Sequence, residues 1–144
     1  MVVPREGEDD RSPESPAIYW CVIASDQELG YQQLTWVKEI LHVLDAPEQR
    51  TNTPDRLRSL LESRSGHGHN GDDPPNVSAD KNGVILALGC MVPRAYREIM
   101  RKEEHVELYG VDALAAMLQV PTHMIEGLVS EEFEEDFERV LCSI

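Results

Sequence analysis

Residues 92–128, VPRAYREIMRKEEHVELYGVDALAAMLQVPTHMIEGL, carry the pattern that decides the fold. A basic segment comes first, a connection follows at residues 105–109, and a second apolar segment begins near residue 112. In both segments the apolar residues recur at helical spacing, which predicts two helices packed on either side of a turn. A basic helix, a turn and an apolar supporting helix are the parts that a helix-turn-helix domain requires.

The basic residues of the first segment are spaced to share one face of a helix. Arg94, Arg97 and Arg101 follow the spacing i, i+3, i+7, Lys102 comes next, and only one acidic residue interrupts them. Such a face suits contact with a nucleic acid, because arginine reads base edges and cations neutralise phosphates. We therefore expect Arg94 and Arg97 to contact bases and Arg101 and Lys102 to contact phosphates, with Tyr96 in the same recognition segment.

The remaining sequence predicts an all-α fold of five to six helices. The acidic, proline-containing residues 1–16 have the composition of a disordered tail. We predict a helix-turn-helix domain over residues 17–129, in which residues 63–82 are a flexible loop insertion rich in Gly, Pro, Asp and Asn. The short apolar run at residues 17–24 fits either a strand or the start of a buried helix. A C-terminal helix occupies residues 130–144.

Two further helices precede the loop. Ser25 followed by Glu28 is a capping-box pattern, and apolar residues at helical spacing continue to Leu44. Thr53-Pro54 is a cap followed by a proline at the first helical position, and a short apolar helix follows it.

The C-terminal helix is amphipathic. Phe133, Phe137, Val140 and Leu141 recur at i, i+4, i+7 and i+8. This apolar stripe predicts either a core face or an interface between two copies of the chain, and we expect a homodimer. The acidic residues between the stripe positions keep the helix soluble.

Five segments resemble, in order, those of the Xre/Cro-type helix-turn-helix family, in the actinobacterial subgroup related to regulators of specialised protein secretion. They are LTWVKEILHVL, TPDRLRSLL, VPRAYREIM, VDALAAMLQVPTHMI and FEEDFERVL, within residues 31–142. The resemblance implies a bacterial, dimeric transcriptional regulator that binds DNA, with Pro93, Arg94, Tyr96 and Arg97 in its recognition segment.

The sequence departs from that family at two places. The turn after the recognition segment is rich in Gly and Arg in the family, whereas residues 101–105 read RKEEH here. Two carboxylates would therefore lie beside the DNA backbone and weaken contacts with phosphate. The second departure is the insertion at residues 63–82.

Other interpretations of the basic face remain open. It can be a solvated helix face paired with nearby glutamates, since runs of surface charge are usually that. A second register of the motif uses residues 112–119 as the supporting helix and residues 122–129 as the reader, although that reader contains no Lys or Arg.

The net charge of the chain supports a different function. Its 27 acidic residues outnumber 13 basic ones, which gives a formal net charge of −14. A helix-turn-helix scaffold can lose its DNA-binding face. The alternative function is therefore an acidic protein-interaction module, an adaptor or anti-regulator that binds a basic protein partner instead of DNA.

Enzymatic and metal-dependent functions have little support in the sequence. No GxSxG, P-loop, GxGxxG or HExxH motif is present, so we expect no enzyme and no cofactor. His67, His69, Asp72 and Asp73 offer metal-binding side chains, but a glycine-rich loop holds them too loosely for a site. Three separated cysteines indicate reduced thiols, and no apolar run is long enough for a membrane span. We expect a cytoplasmic protein.

Overall fold

A computed structural model of the chain describes residues 2–4, 19–46, 48–51, 53–64, 73–102 and 105–143. These residues form eight α-helices, which confirms the helical class, although the expected number was five to six. The helices are α1 Leu29–Leu41, α2 Pro54–Arg64, α3 Pro75–Met91, α4 Arg94–Lys102, α5 His105–Tyr109, α6 Val111–Leu118, α7 Ile125–Leu128 and α8 Glu131–Leu141. Two short 3-10 helices, His42–Leu44 and Thr122–Met124, follow α1 and precede α7.

A pair of short strands accompanies the helices. Strand β1, Val2–Pro4, pairs in antiparallel fashion with β2, Tyr19–Cys21, with Val3 opposite Trp20. The apolar run at residues 17–24 thus contains a strand. The prediction of a disordered tail over residues 1–16 is wrong for residues 2–4, because their backbone pairs with β2. Residues 5–16 of that prediction lie outside the described residues.

Helix α3 replaces part of the predicted loop. The prediction of a flexible loop over residues 63–82 is wrong at both ends, because α2 continues to Arg64 and α3 begins at Pro75. Pro75 is tolerated in the first turn, where its missing N–H would have no helical partner. Val77 is buried, and the Asn76 amide donates a hydrogen bond of 2.9 Å to the Arg56 carbonyl oxygen. Residues 65–72 lie outside the described part of the chain.

Helices α1 and α3 pack closely around a glycine. A Cβ atom at Gly83 would lie 3.2 Å from side-chain atoms of both Lys38 and His42. The Lys38 ammonium donates to Asp80 at 2.5 Å across this contact. His42 pairs with Asp45 at 2.5 Å. The buried lysine is thus compensated by a carboxylate on the facing helix, as burial of a charge requires.

Helix α8 covers the other end of α3. A Cβ atom at Gly89 would overlap the Phe137 ring, so a larger residue there would force the ring or the helix to move. Phe133 and Val140 are buried within the same chain. Phe133 belongs to the main core, a cluster of buried apolar residues that includes Leu34, Leu88, Leu114, Ile125 and Leu128. Phe133 and Val140 are covered by their own chain, so the prediction that they form a dimer interface is wrong. Phe137 is half-buried, and its place in a dimer interface stays a prediction. Leu141 is exposed, and its role in a dimer stays a prediction.

Candidate functional site: the basic face of α4

Arg97, expected to contact bases, is buried inside the molecule. Its residue surface is only 1% exposed. Its Nε and Nη2 atoms donate to the Glu134 carboxylate at 2.8 Å each, and its Nη1 atom donates to the Val92 carbonyl oxygen at 2.5 Å. All three guanidinium nitrogens are therefore engaged within the chain. The base-reading prediction for Arg97 is wrong for this structure, because the side chain points into the contact between α4 and α8.

Two aromatic rings of α8 complete the environment of Arg97. Its guanidinium carbon lies 5.0 Å from the Phe133 ring centroid and 5.3 Å from the Phe137 ring centroid. The two rings stack with centroids 6.1 Å apart. A guanidinium over aromatic faces at these distances is stabilised by cation–π attraction. The apolar stripe of α8 thus binds an arginine of its own chain.

Arg101 also binds the segment that leads into α8. Its Nε atom donates to the Val129 carbonyl oxygen at 2.7 Å, and its Nη2 atom donates to the Ser130 carbonyl oxygen at 3.0 Å. A third contact joins Nη2 to Glu134 at 3.3 Å. These bonds hold the guanidinium against the start of α8. The predicted phosphate contact is therefore unfavourable, because Arg101 would have to break these hydrogen bonds to reach a phosphate.

Arg94 remains on the surface, but two carboxylates accompany it. Its Nε atom donates to Glu98 at 3.0 Å and its Nη1 atom donates to Glu138 of α8 at 2.8 Å. These hydrogen bonds, with Glu98 contributing most, raise the pKa of Arg94. An exposed pair of this kind is weak. Arg94 could exchange its partners for a phosphate, so its DNA role stays a prediction.

The glutamate at the centre of this cluster is electrostatically perturbed. Hydrogen bonds from Arg97 hold the pKa of Glu134 below its ordinary value, and burial opposes that effect only in part. The positive charges of Arg101 and Arg94 also lower the pKa of Glu134. Glu134 is therefore an anion at neutral pH, and it neutralises positive charge that the sequence pattern assigned to a nucleic acid.

Tyr96 and Lys102 of the predicted recognition segment are exposed, as Arg94 is. Tyr96 is 62% exposed, and Lys102 is exposed at the end of α4. Nothing in their surroundings contradicts a role in binding. They do not by themselves make a basic surface, because the arginines beside them are paired with glutamates.

The second register of the motif also places its expected DNA-reading segment against the core of the molecule. Its expected reader, residues 122–129, is a 3-10 turn followed by the four-residue helix α7. Ile125 and Leu128 of that helix are fully buried, so its apolar side faces the core. Tyr31 of α1 stacks on His123, with ring centroids 5.7 Å apart. This segment serves mainly as a packing element.

Sequence reasoning missed Glu134 as a structural partner. It assigned the acidic residues of α8 to solubility, and 37 positions separate Arg97 from Glu134 in the chain. The only signal was that Arg97 and Glu134 each fall beside an apolar stripe, at the edge of the predicted core. Helical periodicity alone does not indicate which helices will face one another.

No group of metal-binding side chains that could hold an ion occurs in the residues that the structure describes. The four candidate ligands between His67 and Asp73 fall mostly outside that part, and Asp73 instead pairs with Lys81 at 2.5 Å. None of the described helices combines the length and the apolar character needed to cross a membrane.

Comparisons with known proteins give no further guide to the site. No family model, no curated protein and no solved structure matches the chain.

Proposed function

We propose that this protein is an acidic protein-interaction module, an adaptor or anti-regulator that binds a cationic protein and catalyses no reaction. The observation that carries the proposal is the internal neutralisation of α4. Arg94, Arg97 and Arg101 are bonded to carboxylates or carbonyl oxygens of the same chain, most of them at or just before α8. A surface that would attract nucleic-acid phosphates is thereby used to hold the fold together.

The distribution of charge supports the same proposal. Residues 105–143 contain nine Asp and Glu residues against one Arg and no Lys. That arginine, Arg139, pairs with Asp136. On α8 the side chains of Glu131, Glu132 and Glu135 are exposed. Negative charge at this surface density attracts cationic partners and repels a phosphate backbone.

The resemblance to helix-turn-helix regulators fits this proposal as well as it fits DNA binding. Fold does not determine function, and a scaffold of that type can present protein-binding surfaces. The transcription-regulator role therefore becomes the competing hypothesis. It requires the exposed Arg94, Tyr96 and Lys102 to supply enough affinity without Arg97.

A binding comparison at varied salt distinguishes the two functions. The full chain is titrated with a labelled lysine-rich peptide and, separately, with a random duplex DNA. We expect the peptide to bind with an affinity that falls as salt rises, and the DNA not to bind even at low salt.

DNA binding at low salt that disappears in the Arg94→Ala/Lys102→Ala variant would overturn the proposal. That double variant is a fair test, because both side chains are exposed and their loss should leave the fold intact. A Glu131→Gln/Glu135→Gln variant serves as the opposite control and should weaken peptide binding. If the chain binds neither the peptide nor the DNA, that result would also count against an acidic module.

A further inference from the structure

Helix α1 has an apolar face directed away from the core. Its inner face packs against α3 and the main core through Leu34, Val37 and Leu41. The outer face carries Trp36, which is 50% exposed, and Ile40, which is 49% exposed. The apolar residues at helical spacing that continue to Leu44 are thus divided between two faces of the helix.

Four exposed apolar residues lie in a stripe on one side of α1 and the turn after it, with Gln33 between the first two. Leu29, Trp36, Ile40 and Leu44 are separated by seven, four and four positions, so they fall along one side of the helix. Leu29 is 56% exposed and Leu44, just after the helix, is 76% exposed. At the rise of an α-helix the stripe is roughly 20 Å long. Scattered surface leucines are ordinary, but an aligned row with a tryptophan at its centre indicates a binding surface.

The charges around this stripe are mostly negative. Residues 21–50 contain five acidic residues, the exposed Arg50, which donates to the Asp45 carbonyl oxygen, and a single lysine. That lysine, Lys38, is buried and donates to Asp80, so it does not balance the surface. Asp26 and Glu28 are exposed before the helix begins, and Glu48 is exposed beyond its end. An apolar row with two exposed carboxylates just before its first residue is complementary to an amphipathic helix that carries cationic residues at the matching end.

Other exposed apolar residues do not share this complementarity. On α4, Tyr96 and Ile99 lie between Arg94 and Lys102, a mixed surface on which a cationic ligand gains little. On α8 the acidic residues are abundant, but the aromatic residues pack against α3 and Arg97 and offer little surface to a partner. Exposed apolar residues also occur in the acidic residues 105–143, but Leu108 and Met117 lie on two different short helices, whereas α1 presents its apolar residues along a single helix.

We propose that the outer face of α1, Leu29–Trp36–Ile40–Leu44, is the docking surface for a cationic amphipathic helix of a partner protein. This proposal rests on the proposed function and specifies its site. Apolar residues of the partner spaced i, i+3/i+4 and i+7 lie along the stripe, with Trp36 as the central anchor. Lysines or arginines at one end of the partner helix face Asp26 and Glu28.

Two peptides of about 18 residues, or roughly five helical turns, test the surface in the full chain. One contains Leu and Lys arranged so that every Leu falls on one helical face, and the other has the same composition in shuffled order. Binding of each is measured by fluorescence anisotropy. The Trp36→Ala/Ile40→Ala variant is compared with a matched control, Leu108→Ala/Met117→Ala, which also removes two large exposed apolar side chains.

The surface predicts a specific pattern of affinities. The amphipathic peptide should bind at least about tenfold more tightly than the shuffled one. Only the amphipathic peptide can place its leucines together on the stripe, and contact with a hot-spot residue such as Trp36 typically contributes that much affinity. The Trp36→Ala/Ile40→Ala variant should lose that preference, whereas the control variant should keep it. Circular dichroism should show the same helix content in all forms.

Each other outcome overturns the docking surface in a distinguishable way. Equal binding of both peptides, unchanged by Trp36→Ala/Ile40→Ala, would leave an acidic module without this site. Binding of neither peptide would reject both the site and the proposed function. A dimer in sedimentation equilibrium that Trp36→Ala/Ile40→Ala converts to a monomer would show that a second copy of the chain occupies the stripe.

Discussion

Arg97 of α4 and Glu134 of α8 form a bidentate ion pair in the interior, with both N–O distances at 2.8 Å. The pair joins two helices that are 37 residues apart in the chain. It also removes from the surface the arginine best placed to read a base. Structure and proposed function therefore depend on the same contact.

Removal of the carboxylate should strongly destabilise the fold. The Glu134→Ala substitution leaves the Arg97 guanidinium buried without a counter-charge, which typically costs about 3–5 kcal/mol. Urea denaturation followed by circular dichroism measures the change in the free energy of unfolding. The neighbouring Glu135→Ala substitution is the control, because Glu135 is exposed and its loss should cost less than about 0.5 kcal/mol. Equal stabilities of the two variants would show that the pair is not structural.

The same pair should make stability depend on pH in the acidic range. The pKa of Glu134 is lower in the folded chain than the ordinary value of about 4.3 that it takes when unfolded. The unfolded state therefore binds the proton more readily, and the stabilisation is complete above that ordinary value. It is lost as pH falls through the lowered pKa of the folded state.

The measurement is a difference between two proteins. The free energy of unfolding of the native chain minus that of Glu134→Gln should be constant near neutral pH and should shrink as pH falls below about 4. Subtracting the variant removes the contributions of the other carboxylates. A difference that grows on acidification would contradict the assigned direction of the shift.

Much of the helical architecture could be predicted from local signals. Pro54 begins α2, and the Thr53 hydroxyl accepts from the Arg56 N–H at 3.3 Å, as the cap pattern predicted. Helix α8 follows the predicted segment to within a few residues. The Ser25 capping box was placed too early, because α1 begins at Leu29 after Glu28.

Two features could not be predicted because they depend on distant partners. The first turns of α3 are poor in apolar residues, and they become helical where Asn76 and Asp80 find partners on α2 and α1. The sequence assigns Arg97 to the surface because it shares one helical face with Arg94 and Arg101. Its counter-charge lies on α8, and a helical wheel of α4 contains no information about it.

The close approach of α3 and α8 should not tolerate a larger residue at Gly89. In Gly89→Ala the added Cβ would overlap the Phe137 ring, so the ring or the helix must move, at a cost of about 1–3 kcal/mol. Because Phe137 also faces Arg97, the shift should disturb the ion pair as well.

The control for Gly89→Ala is Gly127→Ala in α7. No atom lies within 4 Å of a Cβ at that position, and alanine favours a helix by up to about 1 kcal/mol over glycine. Thermal unfolding should therefore show a lower Tm for Gly89→Ala and an unchanged or higher Tm for Gly127→Ala. A Gly89→Ala protein as stable as the native chain would contradict the close packing of Phe137.

The three thiols should differ in reactivity. Cys90 and Cys142 are exposed, whereas Cys21 is half-buried in β2. Burial raises the pKa of the Cys21 thiol, and the negative charge of Glu39 acts in the same direction. Because the thiolate is the reactive species, Cys21 should be alkylated more slowly than the other two near pH 8. Peptide mass spectrometry after a timed pulse of iodoacetamide measures each site. Labelling in urea is the control, because all three thiols should then react at similar rates; a fast Cys21 in the native chain would contradict its placement beside α1.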